Sequence, residues 1–277
     1  MGWLLGSKNN LVCEIFKMRR YWIEKKSIFN DTVIFKDDLY HHIFDVCRQE
    51  MGHHFEVITE DSKAYLVEVT NIQKKSAEAR IIETREIEPL EKPHIHIALS
   101  IPRYPVMDST LERAVEMGVT SVLPFVSSYS FIRKEKELPA GKTERWQKIV
   151  ISATQQSGRG ELMKVHDLTN WSQLFKIINP SPTTWCLFAY EGVNVRPIQE
   201  ELKSLRQQFA LNQASANAIP SDIWLIVGSE GGFSTQEAAE MQTLGLHPVT
   251  LGRQILRVET ACLTLVSVLK YEFGLMK

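Results

Sequence analysis

The spacing of hydrophobic positions divides the chain into two parts of different character. Between residues 18 and 88, one helical pattern at 36–47 interrupts a series of short apolar runs. Several short strands with a single helix are typical of a small barrel. The runs, which show partial two-residue alternation, predict β-strands at 21–23, 32–35, 55–58, 65–69 and 79–86.

The stretch 87–93 separates the two parts. It holds two prolines and three charged residues, so it suits neither a helix nor a central strand. We therefore predict one domain at 18–88 and a second at 93–277. Residues 1–17 are interpreted as an N-terminal extension. A short signal-like segment is the alternative, although the small-residue cleavage pattern is missing there.

After the linker the hydrophobic period alternates between strand and helix. This alternation predicts a parallel sheet that is covered by helices on both faces. The final helix is apolar on most sides, which favours a place in the core or in a subunit interface. A polar stretch at 209–220 predicts a flexible loop. The predicted strands are 95–100, 121–126, 185–190, 223–227 and 247–251, and the predicted helices are 108–117, 143–157, 234–244 and 259–273.

Two glycine turns follow the last two predicted strands. The first turn is 227–234, VGSEGGFS, and the second is 251–257, LGRQILR. Open α/β sheets bind ligands at the carboxyl ends of their strands, so we predict two lips of one pocket on neighbouring strands. Neither turn has the spacing of a dinucleotide fingerprint or of a P-loop. The alternative is that these glycines only permit tight turns.

Composition narrows the class of protein only slightly. The formal net charge of −1 gives no indication of a nucleic-acid partner, so any RNA contact would depend on local patches. Four scattered cysteines fit a reducing cytoplasm, and no apolar run reaches the length of a membrane span. His94 and His96 share one strand face, but no nearby ligand completes a metal site. We therefore expect no metal and no membrane association.

Several segments together resemble the signatures of one family. The two glycine turns are similar to its two main signatures, the second continuing as far as Ala261. The segments QSGR at 156–159 and MRRYW at 18–22 resemble a third signature and the usual start. The chain is similar, over about residues 18–274, to the ribosomal RNA small subunit methyltransferase E family of the SPOUT superfamily.

The resemblance implies both a fold and an activity. The fold would be an N-terminal PUA-like RNA-binding β-barrel followed by a SPOUT α/β domain with a C-terminal trefoil knot. The protein would be a cytoplasmic homodimer with S-adenosylmethionine as methyl donor. It would methylate the N3 position of a uridine in 16S ribosomal RNA of the small subunit. The alternatives are a methyltransferase acting on another RNA, a non-catalytic RNA-binding ribosome-assembly factor, and an unrelated α/β small-molecule enzyme.

The residues in and near the two turns suggest individual roles in such a site. Arg257 would stabilise the negative charge that develops when the uracil loses its N3 proton, and Glu230 would orient Arg257 or the substrate. The alternative for Arg257 is a salt bridge with Glu230 or Glu259, and the alternative for the apolar positions is plain core packing. The donor would be bound by Phe188, Gly228, Ser229, Gly231, Leu251, Gly252, Ile255, Leu256 and Ala261, and RNA by Arg19, Arg20 and Arg159.

Some residues depart from the family pattern. Ser229 stands where the family usually has proline, which predicts a looser first turn. Val258 stands where threonine is usual, which removes a hydroxyl group beside the pocket. For the paired arginines Arg19 and Arg20, a solvated strand end is the alternative to RNA contact.

Overall fold

The computed structural model describes residues 18–181, 183–193, 195–212 and 219–276. The predicted N-terminal extension and part of the predicted loop at 209–220 lie outside these residues. The chain forms two compact units. The first comprises the described residues up to Pro89 together with Thr154–Leu162, and the second comprises Leu90–Ala153 and the described chain from Met163 onward.

The first unit is built on a six-stranded sheet with the order β1-β4-β5-β6-β3-β2. Among its described strands, only the β1–β4 pair is parallel. A four-residue helix, α1 (Asp37–Tyr40), continues into a turn of π-helix at His41–Val46. The strands are β1 (Arg20–Trp22), β2 (Ile28–Phe29), β3 (Thr32–Lys36), β4 (His54–Thr59), β5 (Lys63–Gln73) and β6 (Ser76–Glu86).

The alternation of apolar and polar side chains along the strands explains most of the secondary structure of this unit. Successive side chains on a strand point to opposite faces, so Val33 and Phe35 on β3 are buried together with Val67 and Val69 on β5. The five predicted strands and the predicted helix are confirmed. The sixth strand, β2, has only two residues and is too short to show a hydrophobic alternation in the sequence. Nothing in the hydrophobic pattern predicted that Thr154–Leu162 joins this unit. Closure of the sheet into a barrel stays a prediction.

The second unit contains a seven-stranded sheet with the order β11-β13-β10-β12-β7-β8-β9. Every pair in it is parallel, as the alternation of strands and helices predicted. The strands are β7 (His94–Ser100), β8 (Ser121–Phe125), β9 (Lys164–Val165), β10 (Thr184–Ala189), β11 (Arg196–Pro197), β12 (Asp222–Val227) and β13 (His247–Thr250).

Helices cover this sheet on its two faces. On one face, Trp224 and Ile226 of β12 pack in a core with side chains of α4 (Trp171–Ile178) and α6 (Thr235–Thr243). On the other, β12 contacts α7 (Val258–Glu272), which also packs against α2 (Tyr104–Glu116). The remaining α-helices of the described chain here are α3 (Lys142–Ser157) and α5 (Ile198–Asn212).

Several predicted boundaries in the second unit need correction. Helix α2 begins at Tyr104, before the predicted residue 108, because the proline in its first turn is compatible with a helix start. Helix α5 runs to Asn212, so the beginning of the predicted 209–220 loop is helical. Helix α4 was not predicted, although Asn170 caps it by accepting from the backbone N–H of Gln173.

Three further properties of the described residues bear on function. Cys47, Cys186 and Cys262 are free thiols. No described helix combines the length and apolar character needed to cross a lipid bilayer. Within the described ranges, no three His, Cys, Asp or Glu side chains come together as a group that could hold a metal ion.

Candidate active site

A cavity of about 830 Å³ lies where β7, β10, β12 and β13 end. Both glycine turns line it, together with the residues after β10 and the start of α2. The prediction that the two turns form two lips of one pocket is therefore confirmed. The prediction that their strands are neighbours is wrong, because β10 lies between β12 and β13. We call 227–234 the first lip and 251–257 the second lip.

Close backbone packing in the first lip requires glycine. A Cβ atom on Gly228 would lie only 2.8 Å from the backbone of Gly232. Gly232 itself has a φ of +67°, in the left-handed region that side chains rarely adopt. Its N–H donates to the carbonyl oxygen of Ser229 at 2.9 Å and closes the turn. The first lip therefore depends on these glycines for its shape.

Ser229 fixes the first lip to a neighbouring segment. The residue is only 4% exposed, and its hydroxyl donates to the carbonyl oxygen of Tyr129 at 2.6 Å. A Cβ on Gly231 would lie 2.7 Å from the Cβ of Tyr129, so the two backbones are in close contact. The looser turn expected from serine in place of proline is thus not what the structure has. The serine hydroxyl makes a hydrogen bond that a proline side chain could not make.

The first lip leads into α6 through a capping box. The Ser234 hydroxyl accepts from the backbone N–H of Glu237 at 3.2 Å, and Glu237 Oε2 accepts from the N–H of Ser234 at 2.9 Å. The other carboxylate oxygen of Glu237 accepts from the N–H of Ser128 at 2.7 Å. The buried Glu237 therefore joins the helix start to the segment that follows β8.

Glu230 is the exposed carboxylate of the first lip. Its Oε1 accepts from the backbone N–H of Arg103 at 3.0 Å, and Arg103 is the N-cap residue of α2. Among the described residues Glu230 forms no salt bridge with Arg257. Glu230 consequently holds the first lip against the start of α2.

The second lip is far more exposed. Ile255 is 82% exposed, and Gly252 has a φ of +124°. The hydroxyl of Thr250 donates to the carbonyl oxygen of Gly252 at 3.0 Å. Arg257 is the exposed N-cap residue of α7, and its guanidinium has no hydrogen bond or ion pair to another described side chain. The positive charge of Arg257 at the cavity wall is therefore available to a ligand.

Family models match both units of this chain. A model described as an RNA methyltransferase domain matches residues 89–270, and one described as an RNA methyltransferase PUA domain matches 35–82. The ribosomal RNA small subunit methyltransferase E of Aquifex aeolicus (strain VF5) is 31% identical over 228 residues. That match covers 82% of this chain and 89% of the relative. The chain belongs to the ribosomal RNA small subunit methyltransferase E family.

Other members of the family match over nearly their whole length. The Bacillus subtilis (strain 168) relative is 26% identical over 269 residues, covering 94% of this chain and 99% of the relative. A solved structure of the family member from Neisseria gonorrhoeae, bound to S-adenosyl methionine, is 26% identical with a TM-score of 0.75. That match covers 92% of this chain and 98% of the solved chain. The resemblance inferred from the sequence motifs is confirmed.

Most of the predicted catalytic and donor-binding residues line the cavity. Phe188 does not: its side chain is fully buried in the core, where its ring packs edge to face on Phe233 at 6.3 Å. Gly252 adjoins the lining without being part of it. The predicted residues that line the cavity are Gly228, Ser229, Glu230, Gly231, Leu251, Ile255, Leu256, Arg257 and Ala261.

Arg103 and Val106 are lining residues that the sequence reasoning missed. They lie just after β7 and in the first turns of α2, so they belong to the fourth strand end around the cavity. The position of a residue immediately after a strand of a parallel sheet is the signal that could have found Arg103.

The three predicted RNA-contact arginines lie in different surroundings. Arg20 is a structural residue rather than a free contact, because its Nε donates to Glu56 at 2.6 Å and its side chain is 11% exposed. Burial alone would raise the pKa of Glu56, but Arg85 and Arg20 together bring it below its ordinary value. Burial lowers the pKa of Arg159 to about 10. Arg19 is exposed, and its Nη1 donates to the carbonyl oxygen of Cys47 at 2.9 Å.

The predicted histidine pair lies at the amino ends of the strands, away from the cavity. His96 Nε2 is 3.0 Å from Asp222 Oδ1, and its Nδ1 is 2.8 Å from the hydroxyl of Ser121. Its ring stacks on Trp224 with the ring centroids 4.6 Å apart. His94 Nδ1 lies 3.8 Å from the same carboxylate oxygen. Packing and hydrogen bonds therefore account for His96.

Proposed function

We propose that this chain transfers a methyl group from S-adenosylmethionine to the N3 position of a uridine in 16S ribosomal RNA of the small subunit. Membership of the family supports ribosomal RNA methylation. The observation that carries the proposal is the cavity at four strand ends, with close backbone approach on one lip and the unengaged guanidinium of Arg257 on the other.

The cavity suits a donor of this kind. Its volume of about 830 Å³ is within the range of small-molecule sites. Leu251, Leu256 and Ala261 supply apolar wall, while the backbone of the lips can read the edge of an adenine. Glu191 and Glu259 also line the cavity and offer negative charge to a donor that carries positive charge at its sulfur. The bound S-adenosyl methionine in the Neisseria gonorrhoeae relative supports the same ligand here.

The reaction requires the uracil to lose the proton on N3. The N3–H bond breaks and its proton passes to water, a bond forms between N3 and the methyl carbon, and the bond between that carbon and the donor sulfur breaks with its electron pair remaining on the sulfur. Negative charge spreads over the uracil as the proton leaves. A guanidinium beside the ring lowers the energy of that charge, and we assign this role to Arg257. Glu230 acts as a positioning residue, because its oxygen is engaged with the start of α2.

The rest of the chain fits this assignment. We propose that residues 18–88 form a PUA-like barrel that contacts RNA through exposed residues such as Arg19. Residues 93–277 form a SPOUT domain with a C-terminal trefoil knot, active as a homodimer in the cytoplasm. Leu263 and Val268 of α7 are only half-buried and Tyr271 is exposed, which supports a subunit interface on this helix.

A non-catalytic assembly factor is the weaker alternative. Its motivation was the departures from the family pattern at Ser229 and Val258. Ser229 is tied into the turn by its hydroxyl, and Val258 is buried in the first turn of α7. Both residues line the cavity, which both lips still enclose, so catalysis is the better supported function.

Calorimetric titration with S-adenosylhomocysteine tests the donor site. We expect saturable binding by the wild-type protein. Leu256→Asp places a charge in the cavity wall and should abolish the binding, whereas Leu211→Asp changes a leucine that is 81% exposed and should leave it intact. Absence of binding by the wild-type protein would contradict the proposed function.

A further inference from the structure

Two exposed aromatic rings stand on the segment that follows β8. Tyr129 is 49% exposed and Phe131 is 52% exposed, whereas the intervening Ser130 and the following Ile132 are buried. The chain turns at Ser128 and Tyr129 and bends from Ser130 onward, and both rings reach the surface within this short stretch. Adjacent large apolar rings on a protein surface commonly mark an interaction site.

The backbone that carries these rings is held firmly. The Ser130 hydroxyl oxygen accepts from the N–H of Ser127 at 3.0 Å and lies 2.8 Å from the carbonyl oxygen of Ile132. The N–H of Phe131 donates to the carbonyl oxygen of Ile101 at 2.7 Å, just beyond the end of β7. The rings are thus presented by an ordered segment rather than by a loosely attached loop.

The same segment adjoins the rim of the cavity. The carbonyl oxygen of Tyr129 receives the hydrogen bond from Ser229 in the first lip. The ring of Phe131 meets the ring of Tyr104 edge to face, with centroids 5.2 Å apart. Tyr104 directly follows Arg103, which lines the cavity. The two rings therefore lie next to the place where a substrate base would enter.

Positive charge accompanies the rings. Arg133, Lys134 and Lys136 follow Phe131 and are exposed, as is Glu135 between them, and Lys142 Nζ lies 4.1 Å from the centre of the Tyr104 ring. Glu137 is partly engaged, because its Oε2 accepts from the backbone N–H of Arg133 at 2.8 Å. Aromatic faces beside exposed cations are the combination with which proteins hold single-stranded nucleic acid.

We propose that Tyr129 and Phe131 form a base-stacking platform for the unpaired nucleotides that flank the target uridine, with Arg133 and Lys134 contacting phosphates. This inference rests on the proposed function. The N3 atom lies on the pairing edge of uracil, so a uridine must be unpaired before N3 can be methylated. Its neighbours then lose stacking partners, and aromatic side chains replace them.

The first test changes the rings while keeping apolar volume. The double variant Tyr129→Leu with Phe131→Leu removes the stacking faces, and Tyr129→Phe is the matched control that keeps a ring. We expect the double variant to raise the KM for small ribosomal subunits about tenfold or more. Affinity for S-adenosylhomocysteine should stay within about twofold of wild type in both variants. A KM within about twofold of wild type in the double variant would overturn the platform.

A second measurement separates this inference from the proposed function. A short unpaired RNA that contains 2-aminopurine loses fluorescence when its base stacks on an aromatic ring. We expect quenching by the wild-type protein and by Tyr129→Phe, and its loss in the double variant. If the wild-type protein transfers no methyl group but still shows this pattern, the proposed function fails and the platform stands. Equal quenching by all three proteins overturns the platform.

A second copy of the chain is the competing occupant of this surface. Sedimentation of the double variant distinguishes it from RNA. We expect the oligomeric state of the wild-type protein to persist in the variant. Dissociation of an oligomer together with unchanged quenching would assign the rings to contact between copies and overturn the proposal.

Discussion

The two lips of the cavity are made in different ways. In the first lip, Val227, Ser229 and Phe233 are buried, and hydrogen bonds tie the turn to two other segments. In the second lip, no residue from 251 to 257 is fully buried. Of the two lips, only the first is therefore shaped by the protein's own packing.

This difference assigns distinct roles to the lips. A rigid lip can hold a donor in a fixed place, whereas an exposed lip has few contacts to lose and can adjust as ligands bind. We place Arg257 at the end of the adjustable lip, next to the fixed start of α7. The lips should then respond differently to equivalent substitutions.

The largest effect is expected from Gly228→Ala in the first lip. The added methyl group would lie 2.8 Å from the backbone of Gly232, so the turn would have to open. Calorimetry should show the affinity for S-adenosylhomocysteine reduced about 100-fold or more. Gly252→Ala in the second lip, where the added methyl group would lie 3.7 Å from Oε1 of Gln254, should cost about tenfold at most through its backbone strain. Equal losses in the two variants would remove the distinction between the lips.

The next largest effect concerns turnover. Arg257→Ala should reduce kcat about 100-fold, because the charge on the uracil loses its stabilising partner. Affinity for S-adenosylhomocysteine should remain within about threefold of wild type. Arg253→Ala, at an exposed arginine of the same lip that does not line the cavity, is the control and should leave kcat unchanged. A parallel loss of kcat and donor affinity in Arg257→Ala would mean that Arg257 only shapes the cavity.

A smaller effect concerns the tethers of the lips. Ser229→Ala removes the hydrogen bond to Tyr129 inside the protein and should lower the free energy of unfolding by about 1–2 kcal/mol. Thr250→Ala removes the more exposed contact to Gly252 and should lower it by less than about 0.5 kcal/mol. Denaturant unfolding of both variants measures the difference. A larger loss from Thr250→Ala would reverse the assignment of the rigid lip.

The smallest expected effect concerns the pH dependence of stability and should leave both lips unchanged. Burial lowers the pKa of His96 below 6.5, although Asp222 acts in the opposite direction. The unfolded chain therefore binds this proton more readily, so the stability that neutral His96 contributes is present above about pH 6.5 and is lost as the pH falls below it. His96→Gln should flatten the fall of unfolding free energy between about pH 7 and 5.

Some slope should remain in His96→Gln, since burial also lowers the pKa of His166. Urea unfolding at several pH values, with calorimetry of donor binding alongside, makes the comparison. If the unfolding free energy of His96→Gln falls with decreasing pH as steeply as that of the wild-type protein, His96 is not the source of the fall. If His96→Gln binds the donor with a different affinity from the wild-type protein, the amino ends of the strands influence the lips.

Much of the fold could be predicted because it follows from local periodicity. Strand β12 and the capping box at Ser234 are visible in a few consecutive residues. The order of the strands is not local, and so the position of β10 between the two lip strands could not be predicted. Helix α4 was missed although its cap, Asn170, was present in the sequence as a signal.

The same contrast between local and long-range information applies to the residues of the site. The glycines of the first lip could be identified because strand, glycine turn and helix follow one another directly. The partner of the Ser229 hydroxyl could not, because Tyr129 is 100 positions away. Likewise, Arg20 looked available for RNA until the fold brought Glu56 to it from another strand. Phe188 was expected at the cavity, but alternation along β10 turns its side chain into the core.

The central claim is that the cavity between the lips serves methylation of ribosomal RNA. The most direct measurement is transfer of an isotope-labelled methyl group from S-adenosylmethionine to small ribosomal subunits isolated from a strain that lacks this enzyme, with mass spectrometry of the digested RNA. The account predicts label in N3-methyluridine from 16S ribosomal RNA, and its absence with Arg257→Ala. No labelled nucleoside in 16S ribosomal RNA, or label that enters transfer RNA instead, would contradict it.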